Sequence, residues 1–183
     1  MAENLSNFKL ETERLILRDF IESDFDFYQS LETNPYAITY ERDTVPDLNE
    51  LLENFKQILE LQASTTRVKY SLLVVDKNTL KPVGRVVMWQ TNVDINEWEI
   101  GWMIKKEFSS MGYATEAAKS LEDYAFSILK IHRLQALCHE KNYSSEKVMI
   151  KLGMIKEGQL RSVRKLNGKW NNMLIYSKLN CDL

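Results

Sequence analysis

Cysteine and histidine are scarce in this 183-residue chain, with two of each. Their spacing resembles no metal site. Cys138 falls at the end of an expected strand and Cys181 near the C-terminus, so two free thiols are expected, one of them buried. His132 and His139 have no nucleophile motif beside them, and no Gly-x-Ser-x-Gly elbow occurs, which removes a Ser/His/Asp hydrolase. No run approaches the ~20 apolar residues of a membrane-spanning helix. Met1-Ala2-Glu3-Asn4-Leu5-Ser6 lacks the apolar segment of a secretory leader. The expected location is the cytoplasm, with no membrane partner. An excess of one sign of charge is also missing: 24 Lys and Arg stand against 26 Asp and Glu, which argues against a nucleic-acid binder working through a strong basic field. No repeat, low-complexity tract or linker breaks the chain. Residues 1–183 therefore read as one domain, and 44% hydrophobic residues suffice for a sizeable core.

What is present is a regular alternation of strand and helix patterns. Leu10 to Phe20 reads as a first strand. Glu22-Ser23-Asp24 offers cap chemistry to a helix with Phe25, Tyr28 and Leu31 on one face. Thr33 to Pro46 reads as irregular, with Asn34-Pro35 as a turn signal. Asp47-Leu48-Asn49-Glu50 has capping-box spacing, and Leu48, Leu51, Leu52, Phe55, Ile58 and Leu59 follow as a helical stripe. Tyr70–Val75, Pro82–Trp89 and Trp98–Ile104 read as an antiparallel meander. A helix over Thr115–Leu129, a strand over Arg133–Cys138, a helix after Asn142, a strand over Met154–Leu160, a hairpin at Asn167-Gly168-Lys169 and a strand over Trp170–Leu179 complete the order. This is an α/β (α+β) pattern with a mixed sheet.

The organising stretch is Ser109-Ser110-Met111-Gly112-Tyr113-Ala114-Thr115-Glu116-Ala117-Ala118, a small-residue loop between the Trp98–Ile104 strand and a helix start. The first N–H groups of a helix have no internal partner, and the helix dipole favours negative charge there. Small residues let a phosphate oxygen come close. The pattern points to an anion site, a pyrophosphate cradle in the first instance.

Gly112-Tyr113-Ala114-Thr115-Glu116-Ala117, followed by Asn142-x-x-Ser145 and Leu152-Gly153, with Thr12-Glu13-Arg14-Leu15-Ile16-Leu17-Arg18 at the front, resembles the GNAT superfamily of acetyl-CoA-dependent N-acetyltransferases. The resemblance is closest to its RimJ/RimL-like branch and runs over nearly the whole chain, to Ile175-Tyr176-Ser177. It implies a largely antiparallel seven-stranded sheet with helices on both faces and a splayed central strand pair. It implies acetyl-CoA as co-substrate, no metal, and an acceptor amine that is a peptide N-terminus or a small molecule, and it leaves a homodimer open. The loop departs from the family's Gln/Arg-x-x-Gly-x-Gly/Ala: Glu107 stands at the first position and Ser110 at the first glycine, while Gly112 keeps the second. By resemblance the amides of Ser109, Ser110, Met111, Gly112, Tyr113, Ala114 and Thr115 meet the cofactor, Met103 and Ile104 supply main-chain contacts to pantetheine and thioester, and Asn142 touches CoA.

Acetyl transfer needs a neutral amine, a polarised carbonyl and a stabilised leaving thiolate. Glu99, set in an apolar strand, is the candidate base, because partial desolvation raises a carboxyl pKa toward neutrality; a strand-edge carboxylate paired with Lys or Arg is the competing reading. Glu97 is expected to be the solvent-exposed neighbour. The family's frequent tyrosine acid falls at Met149, which cannot donate, and by resemblance Ser145 takes the acid role; otherwise Ser145 is a first-turn residue satisfying a backbone donor. A glutamate that some ribosomal-protein acetyltransferases use falls at Arg164, and Trp170-Asn171-Asn172 stands where the branch often has Trp-x-Asp. Trp89, Trp98 and Trp102 are expected in the core, some of them lining an acceptor groove. The alternative to an acetyltransferase is a catalytically silent CoA-binding sensor or partner protein.

Overall fold

The computed structural model describes residues 8–182, with the backbone alone for residues 37 and 38; Met1–Ser6 lies outside the described residues. The described residues build one eight-stranded sheet of order β1-β2-β3-β4-β5-β6-β8-β7. Its strands are β1 (Lys9–Glu11), β2 (Leu15–Asp19), β3 (Lys69–Asp76), β4 (Pro82–Asn92), β5 (Glu97–Ile104), β6 (Arg133–His139), β7 (Ile155–Leu166) and β8 (Lys169–Leu179). Every neighbouring pair is antiparallel except β5 and β6. The sheet thus has one strand more than the seven expected. The segment read as a single first strand doubles back on itself: Thr12 Oγ1 accepts the Leu15 N–H at 2.9 Å, and Lys9–Glu11 then pairs with Ile16–Arg18.

The helices are α1 (Phe25–Glu32), α2 (Pro35–Tyr40), α3 (Leu48–Gln62), α4 (Tyr113–Ser127) and α5 (Tyr143–Lys151). Helix α2 occupies part of the stretch expected to be irregular. Asn34 Oδ1 accepts the Tyr36 N–H at 2.8 Å, and Pro35 takes the first helical position, where a missing N–H costs nothing. In α3 the Asp47 carboxylate accepts the Glu50 N–H at 2.9 Å, the cap read from the sequence. Helix α4 begins and ends two residues earlier than its apolar pattern suggested. Strand β7 runs on past Leu160 to Leu166 across an irregularity between Leu160 and Arg164, in which Ser162 has φ 53°. The β7–β8 turn is Asn167-Gly168, both at positive φ (51° and 71°), the geometry of a tight hairpin.

Period-two alternation sorts the strands into two faces. One carries Leu72, Val86, Met88, Ile100, Leu134 and Ala136 against α4 and α5 and forms the larger core, with Leu121 of α4 fully buried in it. The other carries Leu73 and Val75 beneath α1 and α3, packed with Phe20, Tyr28, Leu51 and Phe55. The two helices cover only part of that second face. Among the described residues no helix is long and apolar enough to cross a membrane.

Candidate active site

The parallel strands β5 and β6 pair at Glu97–Arg133, Trp98–Leu134 and Glu99–Gln135 and at no later residue, although β5 runs on to Ile104 and β6 to His139. Beyond Glu99, then, β5 is paired with β4 alone and β6 with β8 alone. Main-chain groups on the inner edges of this V have no ladder to satisfy them. Lys105 donates its N–H to Val83 O at 2.9 Å, so the pleat turns the main chain of Met103 toward β4 and that of Trp102 and Ile104 into the opening. Gly84 permits this approach: a Cβ there would sit 2.3 Å from Met103 O. Of the two residues read as main-chain contacts, Ile104 faces the gap and Met103 presents its side chain to the cavity below. The main chain of Trp102, which the sequence did not single out, also faces the gap, a direction that only the register and the Lys105 bond reveal.

At the mouth of the V lies the loop before α4. Helices α3 and α5 are capped by a side chain, and α4 is not: its N-cap is Gly112, at φ 85°. Among the described residues no protein acceptor takes the N–H of Ser110, Met111, Gly112, Tyr113, Ala114 or Thr115. The Ser109 N–H differs, since it donates to Lys106 O at 3.1 Å, so the open set begins one residue later than the sequence suggests. Ser110 adopts φ 63°, the glycine-like region, at a strain of roughly 1–2 kcal/mol.

Arg14 fixes the loop from behind. Its guanidinium donates to Met111 O at 3.0 Å and to Glu116 Oε2 at 2.7 Å, and lies over the Tyr113 ring at 4.9 Å. Glu116 also accepts from Thr12 Oγ1 and the Arg14 N–H. Burial works against its charge, but these bonds outweigh it and hold its pKa below the ordinary value. The Tyr113 hydroxyl donates to Asp76 at 2.6 Å. Glu107 is exposed and has no ion-pair partner among the described residues.

Below the V, the uncovered part of the second sheet face is a cavity of about 630 Å³. Glu99, Met103, Asn142 and Ser145 all line it, so one strand, β5, and one helix, α5, bring the candidate base and acid to one space. Glu99 is half-buried, with no cation paired to it among the described residues. Burial pushes its pKa up, against a 3.1 Å hydrogen bond from Gln135 Nε2 and the more distant Arg164. Glu97, expected to be exposed, instead pairs with Arg133 at 2.7 Å. Asn142 is buried and caps α5, its Oδ1 accepting the Ser145 N–H at 3.1 Å and the Tyr36 hydroxyl. The Ser145 hydroxyl itself has no protein partner among the described residues. Met149, at the position of the absent tyrosine, is buried in the core.

His132 is exposed. His139 is held at both ring nitrogens: Nδ1 accepts the Lys141 N–H at 3.0 Å, and Nε2 lies 3.0 Å from Asn171 Oδ1. Cys138 and Cys181 are free thiols, the first buried and pushed up to about 11 by burial. Trp98 belongs to the core, Trp102 packs against that core and also touches the cavity, and Trp89 lines the cavity. Among the described residues there is no cluster able to hold a metal ion.

The profile of a family described as “Acetyltransferase (GNAT) domain” matches residues 14–155. The chain is 25% identical over 170 residues to the “Uncharacterized N-acetyltransferase YnaD” of Bacillus subtilis (strain 168), covering 93% of this chain and 96% of that one. Its fold matches the ribosomal-protein-S5-alanine acetyltransferase of Vibrio fischeri with a TM-score of 0.83 at 23% identity, over 96% of this chain and 98% of the other. It also matches the spermidine N-acetyltransferase of Vibrio cholerae, solved with CoA and spermine, with a TM-score of 0.81 at 20% identity, over 93% and 98% of the two chains.

Proposed function

The chain belongs to the acetyltransferase (GNAT) family, and from that premise we propose that it moves the acetyl group of acetyl-CoA onto a primary amine, a small-molecule amine or a peptide N-terminus, by direct attack with both substrates bound. The observation that carries this reading is the pairing of an unzipped β5–β6 seam with a row of unused amides at its mouth. The amides of Ser110 to Thr115 take the diphosphate, where the α4 dipole adds to their pull. The pantetheine arm lies in the V as a strand would, bonded to the main chain of Trp102 and Ile104. An amide there also receives the developing oxyanion.

Glu99 accepts the proton that leaves the amine, directly or through a water. The amine nitrogen then forms its bond to the thioester carbon, the C–S bond breaks, and the Ser145 hydroxyl donates to the departing sulfur. The raised pKa of Glu99 brings its basicity nearer to the task, and the free Ser145 hydroxyl leaves it a donor for a ligand.

Thiol release from acetyl-CoA, followed over a panel of amines and peptides, tests the reading. Turnover with at least one acceptor, and a Tm raised by CoA but not by NAD or ATP, are the expected results. Stabilisation by CoA with no thiol released from any acceptor identifies a CoA-binding protein without catalysis.

A further inference from the structure

The charges in the cavity are sorted by position. The ladders align Lys69, Trp89 and Glu99 in one row across β3, β4 and β5. Two strand spacings, roughly 10 Å, thus separate the backbones of Lys69 and Glu99, with an indole between them. On the side of Lys69 the wall gathers three cations, Lys69, Arg85 and Arg42, with Arg164 near both Glu41 and Glu99, against the carboxylates Glu32 and Glu41 and the solvent-exposed Glu50. Glu32 is buried and shared by two guanidinium groups, Arg85 at 2.6 Å and Arg42. One carboxylate cannot neutralise both. Arg42 Nε is buried with no acceptor among the described residues, a donor that an incoming group can satisfy. Lys69 has no carboxylate partner among the described residues. Burial and then Arg85 pull its pKa down, and Glu32 only partly opposes them. Burial pushes the Glu41 pKa up, which weakens it as a counter-charge to Arg85 and Arg42.

We propose that this wall receives an anionic group on the acceptor, a carboxylate or a phosphate, so that the substrate is a small amine whose negative end lies among Lys69, Arg42 and Arg85 while its amino group reaches Glu99 across Trp89. The assignment rests on the reading of Glu99 as the base. It excludes polycations, whose second charge would meet the guanidinium groups, and it predicts a spacer of several atoms between amine and anion.

Matched pairs of acceptors test it: aminohexanoate against hexylamine for the carboxylate, glucosamine phosphate against glucosamine for the phosphate, and diaminopentane as the cationic control. The expected result is a kcat/KM about tenfold or more higher for the anionic member of one pair, with the better pair naming the group. Lys69→Met should raise KM for that anionic acceptor, leave the KM of acetyl-CoA alone and bring the ratio within the pair toward one, a split that a general loss of structure does not give. Preference for hexylamine, diaminopentane or an uncharged peptide N-terminus overturns the proposal while leaving the acetyltransferase reading standing. Should no amine turn over, the acetylated products still decide: N-acetylaminohexanoate or N-acetylglucosamine phosphate raising the Tm of the wild type but not of Lys69→Met supports the wall as an anion site, and no shift with either product overturns it.

Discussion

The two faces of the sheet come from the same strands, one residue out of step, and they end differently. On the α4 side alternate residues of β3, β4, β5 and β6, Leu72, Val86, Ile100 and Leu134 among them, are apolar and buried, and two helices close the layer. On the α1 and α3 side Leu73 and Val75 lie beneath the helices, while Lys69, Arg85, Trp89 and Glu99 on the same face stand around open space. The lesson is that a half-covered face provides a desolvated but polar room, while the fully packed face behind it holds the strands that position the groups in it.

The largest effect that can test this contrast is on the open face. Glu99→Gln should lower kcat by about 10²–10⁴-fold with little change in the Tm or in the KM of acetyl-CoA. In the wild type the rate should rise with pH through a limb above the ordinary carboxylate range, because the buried acid must lose its proton before it can accept one from the amine, and the variant should lose that limb. Next comes the closed face: Leu121→Ala should cost about 2–5 kcal/mol of stability, read by denaturant unfolding, while the protein that remains folded keeps its kcat. If the two substitutions exchanged outcomes, the division of labour between the faces would be wrong. Between the faces lies the loop before α4. Gly112→Ala forces a Cβ into the left-handed region 3.3 Å from the Arg14 guanidinium, at roughly 1–2 kcal/mol, and should weaken CoA binding by about tenfold in calorimetry. The smallest effect is expected at the rim, where Tyr36→Phe removes one hydroxyl from Asn142 and should lower stability by about 1 kcal/mol.

Legibility in the sequence followed how local each signal was. Helix α3 carries its own cap and stripe, the hairpin at Asn167-Gly168 its own turn chemistry, and the loop at Gly112 its own small residues, so each could be read in place. The first strand hid a turn, because Thr12 closes it with a side-chain bond rather than with glycine or proline. Helix α2 was masked by Asn34-Pro35, which signals a turn as readily as a helix start. The extension of β7 was hidden by the out-of-register residues around Ser162. Glu99 stood out as a lone acid in an apolar run, and its place in the cavity is a matter of strand alternation. The cationic wall was not legible at all. Lys69, Arg85, Arg42, Glu32 and Glu41 come from strands, a helix end and a loop, and only the folded sheet makes them neighbours.

Among the described residues, three ladder pairs join the five-strand part of the sheet to the three-strand part. Mechanically that is a hinge pin rather than a weld, and whatever bridges the arms of the fork becomes a structural member for as long as it stays. The protein should therefore be stiffer when occupied than when vacant, with amide exchange at Ile100–Ile104 and at Ala136–Cys138 slowing in concert as the bridge goes in. An object used up in the reaction would then double as the brace that holds the workbench square.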